Sequence, residues 1–275
     1  MRLAALYRYP IKSCKGFALD TAELDARGLA DDRRLMVVDA AGRFLTQREL
    51  PRMALIEPRL AGAELTVRAP GAPDLTIACA DDGPRLRVTI WGDQCLAADQ
   101  GAEAARWFSA ALGLDCRLVR IAPEETRLVT PDYAPRPTDQ VGFADGFPLL
   151  LIGQESLDDL NRRLDHPLPM NRFRPNLVVA GAAPYAEDSW TRIEIGGIGF
   201  DLVKPCARCA ITTTDQATAE RGKEPLRTLA GYRRVGDKVM FGQNVVHDRA
   251  GSLRVGDEVR VLASDPARAI SAGEA

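Results

Sequence analysis

Histidine is nearly missing from this chain: among 275 residues there are two, His166 and His247, in dissimilar surroundings. Their scarcity argues against histidine-rich zinc catalysis and against the usual nucleophile–histidine triads. No stretch approaches the roughly 18 uninterrupted apolar residues that a membrane helix needs. The opening MRLAALYRYPIKS is broken at Arg8 and Pro10, too early for the core of a secretion signal. An excess of basic charge is also lacking. The 36 Lys and Arg stand against 38 Asp and Glu, for a net charge of −2. No global field is therefore available for nucleic acid or an anionic membrane, which leaves room only for a local basic pocket. Neither GxGxxG nor GxxxxGK[ST] occurs, so the nucleotide fingerprints are absent, and there is no internal repeat. Six cysteines in a chain this long are too few for a disulfide scaffold, and the expectation is reduced thiols in a cytoplasmic protein. The composition, 46% hydrophobic and 27% charged, is globular and excludes intrinsic disorder. The length suits two domains.

Up to about residue 118 the chain reads as short strands, at 3–9, 35–38, 64–68, 75–78, 86–90 and 116–121, separated by Gly, Pro and Asp breaks. A single helix interrupts them at 102–112, stopped by Gly113. This spacing predicts an antiparallel barrel or sandwich. Residues 121–143 carry four prolines and weak periodicity, the mark of a linker or a functional loop. Beyond them come strands at 147–152 and 177–180, a helix at 155–164, and a hairpin folded at Gly196-Gly197. Further strands are expected at 210–214, 239–241 and 259–262. The expected architecture is mainly β with a few helices. It comprises a β-barrel-like domain over 1–120, a Pro-rich linker over 121–143, a second β-barrel domain over 144–263 and a flexible tail over 264–275.

The most informative stretch is Lys204-Pro205-Cys206-Ala207-Arg208-Cys209-Ala210-Ile211-Thr212-Thr213-Thr214-Asp215. Cations beside a thiol lower its pKa, and the thiolate is the form that binds metals or attacks. Half of a zinc site, a redox pair, one thiolate on a soft metal and two packed structural cysteines are all compatible with this spacing. Residues three apart on a strand face opposite sides, so both sulfurs reach one centre only if the backbone turns between them.

Two further stretches can present donors to an anion. Pro10-Ile11-Lys12-Ser13-Cys14-Lys15-Gly16 closes a strand in a short loop. In Asn171-Arg172-Phe173-Arg174-Pro175-Asn176, an extended backbone would let Arg172 and Arg174 converge while Phe173 packs behind. In Asp32-Arg33-Arg34 the two arginines point opposite ways, so at most one enters a pocket. Together these features describe a phosphate-sized basic site near a thiolate, and they ask for a phosphorylated cofactor that carries a thiophilic metal.

From Tyr7-Arg8-Tyr9-Pro10-Ile11-Lys12-Ser13 onward, the N-terminal half resembles the β-barrel domain that precedes MOSC domains (molybdenum cofactor sulfurase C-terminal). The C-terminal half resembles MOSC itself. The motifs that carry the likeness are Phe143 to Pro148, Arg172 to Asn176, Ala186 to Trp190, Lys204 to Asp215, Phe241-Gly242-Gln243-Asn244 and Val255-Gly256-Asp257. The resemblance is greatest to bacterial MOSC proteins that reduce N-hydroxylated bases and to mitochondrial amidoxime-reducing components. It implies a single molybdenum–molybdopterin cofactor at the junction of the halves, with Cys209 as the metal ligand. It further implies cofactor contacts from Lys12, Ser13, Arg33, Arg174, Asn176 and Arg208, and a catalytic Asp145 that binds substrate or relays a proton.

The implied reaction reduces small N-hydroxylated compounds to amines. Because no ferredoxin module or C-x4-C-x2-C run is present, electrons are expected from an external ferredoxin-like protein or flavin reductase. Neither a nucleic-acid nor a membrane partner is expected. A non-catalytic cofactor or sulfur carrier is the alternative, since MOSC domains also end the molybdenum cofactor sulfurases, where a separate pyridoxal-phosphate domain does the sulfur chemistry.

Overall fold

The computed structural model describes residues 1–270. The fold is mostly β, with three α-helices among the described residues. Its centre is a nine-stranded sheet. In spatial order this runs Val259–Ser264, Trp190–Ile195, Ile198–Arg208, Lys238–His247, Leu149–Gly153, Leu177–Ala180, Arg2–Arg8 and Phe17–Leu19, with Arg234–Val235 paired beside Lys238–His247. The runs Leu-Leu-Leu-Ile and Leu-Val-Val lie in its middle because they are apolar on both faces, as central strands must be. These two strands pair in parallel, joined by the helix Gln154–Arg162, which buries Leu157 and Leu160.

Strand Arg2–Arg8 pairs antiparallel with Leu177–Ala180, and Thr21–Asp25 pairs with Gly251–Arg254. The first 25 residues are therefore hydrogen-bonded into the C-terminal half. This pairing carries the Lys12 loop to the edge of the large sheet. The remaining N-terminal strands form a four-stranded sheet (Leu35–Asp39, Cys116–Ile121, Asp93–Asp99, Arg85–Ile90) and a three-stranded one (Glu57–Ala61, Glu64–Arg68, Leu75–Ala78). Helix Gly101–Leu112 closes their shared core with Trp107 and Phe108.

One expectation needs correction. Residues 210–214 are not a strand: Ala210–Thr213 is a 3-10 turn. The threonines bring this about, with Thr212 Oγ1 donating to Cys209 O at 2.9 Å and Thr213 Oγ1 to Ala210 O at 2.8 Å. Such local bonds offer the backbone an alternative to a ladder.

The Pro-rich segment, expected as a linker or a functional loop, packs into the fold. It buries Val129 and Val141 against Val246. Its Arg127, also buried, donates to the carbonyls of Gly142, Ala144 and Asp145 at 2.9, 2.6 and 2.9 Å. The expected tail begins inside strand Val259–Ser264 and continues through the turn Pro266–Arg268, capped by Asp265; residues 271–275 lie outside the described residues. Among the described residues no helix is long and apolar enough to cross a membrane.

Candidate functional site

Segments from both halves of the chain wall a cavity of about 390 Å³. It is lined by Lys12, Ser13, Arg33, Arg48, Asp145, Arg174, Asn176, Lys204 and Cys206 to Cys209, among others. Strand Ile198–Arg208 supplies the thiol wall. Register shifts between Leu202 and Lys204 and between Pro205 and Ala207 bend it, and it stops at Arg208, leaving Cys209 as the cap of the 3-10 turn. The turn follows Cys209 instead of separating the two cysteines, and both residues line the cavity. Both are half-buried, whereas Cys14, Cys79, Cys95 and Cys116 are buried. Burial pushes the Cys14 thiol up to about 12 and that of Cys95 to about 11, so these two stay protonated at neutral pH.

The opposite wall is cationic and strained. Ser13, Arg33 and Arg174 have φ of 65°, 46° and 58°, the left-handed region in which a non-glycine residue costs about 1–3 kcal/mol and which concentrates at functional sites. Arg174 also precedes Pro175, which ordinarily drives the residue before it into extended backbone. The ring of buried Tyr9 is the platform, with the Arg33 and Arg174 guanidinium carbons each 4.3 Å from its centre. Tyr9 Oη donates to Pro175 O at 3.0 Å. Gly16 lets the Lys12 loop pass over that ring, because a Cβ there would lie 2.2 Å from it.

The two arginines are not equivalent. Arg33 spends its fork on Asp32, on Asn176 Oδ1 at 2.9 Å and on Arg174 O at 3.2 Å. Asn176 is spent too, accepting from Leu150 N and donating to Tyr7 O, both at 3.2 Å. These two residues brace the turn that presents Arg174. Among the described residues no hydrogen bond or ion pair engages the Arg174 guanidinium, although it is buried. Burial lowers its pKa to about 10. Arg172 does not converge with it: Met170–Arg172 is a 3-10 turn rather than an extended run, and Arg172 turns away to Asp215 at 2.7 Å. Arg208 reaches Cys206 Sγ at 3.1 Å and Phe173 O at 2.5 Å. Lys204 sits over the Tyr133 ring at 4.0 Å.

Asp145 takes hydrogen bonds from Lys12 Nζ, from Arg48 Nη2 at 3.0 Å and from Trp91 Nε1 at 3.2 Å. Asp145 is exposed at the rim of the cavity, and Lys12 and Arg48 beside it hold the carboxyl far below the ordinary carboxylate range. Asp145 thus bridges Lys12, Arg48 and Trp91 there. Arg48 and Trp91 were not expected from the sequence. Nothing in their spacing marks them, since they meet Asp145 only through tertiary folding.

Burial pushes Lys12 down to about 8, with Asp145 beside it opposing the shift. Its charge is present below that pH and lost above it. The affinity of the cofactor-free protein for inorganic phosphate should therefore hold to about pH 8 and then fall, by at most about tenfold per pH unit, the limit for one proton. Calorimetry at pH 7, 8 and 9 measures this, and Lys12→Gln should flatten the profile.

Comparison with known proteins gives this arrangement a lineage. Residues 1–115 match the MOSC N-terminal beta barrel domain and residues 138–260 the MOSC domain. The chain is 36% identical to mitochondrial amidoxime-reducing component 1 of Mus musculus over 94% of its own length and 82% of that protein's. The corresponding protein of Homo sapiens is 34% identical with the same coverage. Molybdenum cofactor sulfurase of Oryza sativa subsp. japonica is 33% identical over 88% of this chain but only 32% of its own. The chain belongs to the family of proteins, mitochondrial amidoxime-reducing components among them, in which a MOSC N-terminal β-barrel is followed by a MOSC domain.

Proposed function

We propose that this protein is a molybdenum-cofactor-dependent oxidoreductase that reduces N-hydroxylated compounds to amines with electrons from a ferredoxin-like or flavin-linked partner. The observation that carries this reading is the buried guanidinium of Arg174, which has no hydrogen bond or ion pair among the described residues and faces the same cavity as a half-buried thiol at Cys209. An unpaired buried cation is costly, and an anionic ligand with a thiophilic end relieves that cost. The donor set fits molybdenum–molybdopterin: Arg174, Lys12 and Ser13 for its terminal phosphate, and the Cys209 sulfur for the metal. When bound, the cofactor supplies the two-electron reduction of an N–OH group, with water as the second product.

The chain's own residues do the holding. Arg33 and Asn176 fix the turn that aims Arg174. Asp145 keeps Lys12 and Arg48 turned inward, and Arg208 ties the Cys206 sulfur to the Phe173 carbonyl. The cavity opens to solvent, which admits a small substrate.

Protein made in a molybdenum-replete host should contain molybdenum and pterin near one per chain, and with an artificial electron donor it should turn over N-hydroxylated amidines. Folded, freshly isolated protein that lacks both metal and pterin would defeat the reading. Tight cofactor without turnover would instead favour a carrier, the role suggested by the sulfurase likeness and by the second accessible thiol at Cys206.

A further inference from the structure

The function proposed above leaves Arg48 without a task of its own, yet the fold invests heavily in its position. Nη2 donates to Asp145 at 3.0 Å, and the guanidinium carbon sits 4.7 Å from the centre of the Trp91 ring. Trp91 donates to the same carboxylate through Nε1 at 3.2 Å and packs on Phe44, ring centres 5.0 Å apart. This posture is strained. The Trp91 backbone has φ of 54°, a region that costs a bulky residue roughly 1–2 kcal/mol, and its side chain stays half exposed at 49%.

Three other non-glycine residues with positive φ, Ser13, Arg33 and Arg174, line the cavity; Trp91 touches it through Asp145. The remaining arm of the fork, Arg48 Nη1, is buried with no hydrogen-bond partner among the described residues. Arg48 and Cys209 line the same cavity.

The geometry points to Arg48 as a positioning residue that directs its free Nη1–H at the Cys209 sulfur, while Asp145 and Trp91 hold the other arm and the face of the fork. This rests on Cys209 being the metal ligand. A charge-assisted N–H···S hydrogen bond draws electron density from a ligating thiolate. It thereby weakens donation to the metal and makes the metal easier to reduce. Hydrogen bonds to ligand sulfur are an established lever on metal potentials. No bond to the protein is made or broken. Arg48 sets the poise of the centre and touches no reacting atom.

The test is a redox titration of the molybdenum-loaded protein followed by electron paramagnetic resonance, with metal content measured on the same samples. Arg48→Gln should keep its molybdenum and shift the one-electron reduction equilibrium about tenfold against reduction, or ~59 mV, with an altered Mo(V) spectrum. Arg48→Lys, which keeps the charge but loses the fork, should shift less. Trp91→Phe, which keeps the ring but loses the N–H to Asp145, should shift in the same direction and least. Unchanged potential and spectrum in fully loaded Arg48→Gln would overturn this role and leave the proposed function standing. Loss of metal from Arg48→Gln would overturn it as well, by making Arg48 part of cofactor binding. Wild-type protein without molybdenum would defeat the proposed function, and this inference with it.

Discussion

Replacing Cys209 with alanine should abolish reduction of N-hydroxylated substrates, with activity down by more than about 100-fold, and leave the fold intact. Changes to groups that merely support a metal ligand already cost about 10–100-fold, and loss of the ligand itself should exceed that. The fold should survive because the residue's structural work is done by its backbone. Cys209 O accepts from Thr212 N at 3.1 Å and from Thr212 Oγ1 at 2.9 Å, and both bonds persist in alanine. Stability should change by no more than about 0.5 kcal/mol, as for a substitution outside the core. Cys206→Ala should be milder, with activity reduced a few-fold, because its sulfur is a partner of Arg208 at 3.1 Å and that guanidinium keeps the Phe173 carbonyl. Activity assays beside thermal melts and metal analysis separate the cases. Equal, complete loss in both variants would replace the single-ligand reading with a dithiol one.

Much of this site can be read from the sequence because its cations sit in short loops next to strands, where local rules hold. Arg33 and Arg34 are adjacent on a turn, so they must diverge. One lines the cavity and the other pairs with Asp25. Arg172 and Arg174 show where such reasoning stops. Alternation on one face presumes extended backbone, and the 3-10 turn Met170–Arg172 sends Arg172 to Asp215 instead. The threonines after Cys209 mislead in the same way. They are β-branched and favour a strand by composition, but their hydroxyls bond back to the chain and form a turn. The strands themselves were legible where both faces are apolar, as at Leu177–Ala180. What no local pattern reveals is convergence. Arg48, Trp91 and Asp145 lie far apart in sequence and share a hydrogen-bonded cluster only because the N-terminal sheet packs beside the loop that Arg127 ties down.

Arg174→Met should move stability and affinity in opposite senses. In the cofactor-free protein the guanidinium is buried against Tyr9 without an anion, so its charge is a burden there. Methionine keeps an unbranched stem over the ring and leaves the left-handed backbone no more strained than before. Exchanging buried charge for apolar volume is often neutral or stabilising by about 1–4 kcal/mol. The cofactor-free variant should therefore melt at the same temperature as wild type or higher. Cofactor binding should suffer heavily, because removing one member of a buried, hydrogen-bonded charge pair costs about 2–5 kcal/mol, or roughly 30- to 4,000-fold in affinity. Pterin content after gel filtration and phosphate affinity of the cofactor-free protein measure the second effect, and calorimetric melting measures the first. A variant that melts several degrees lower and binds phosphate as wild type does would show that Arg174 serves the fold through its stacking on Tyr9. That outcome would also remove the unpaired cation on which the cofactor reading stands.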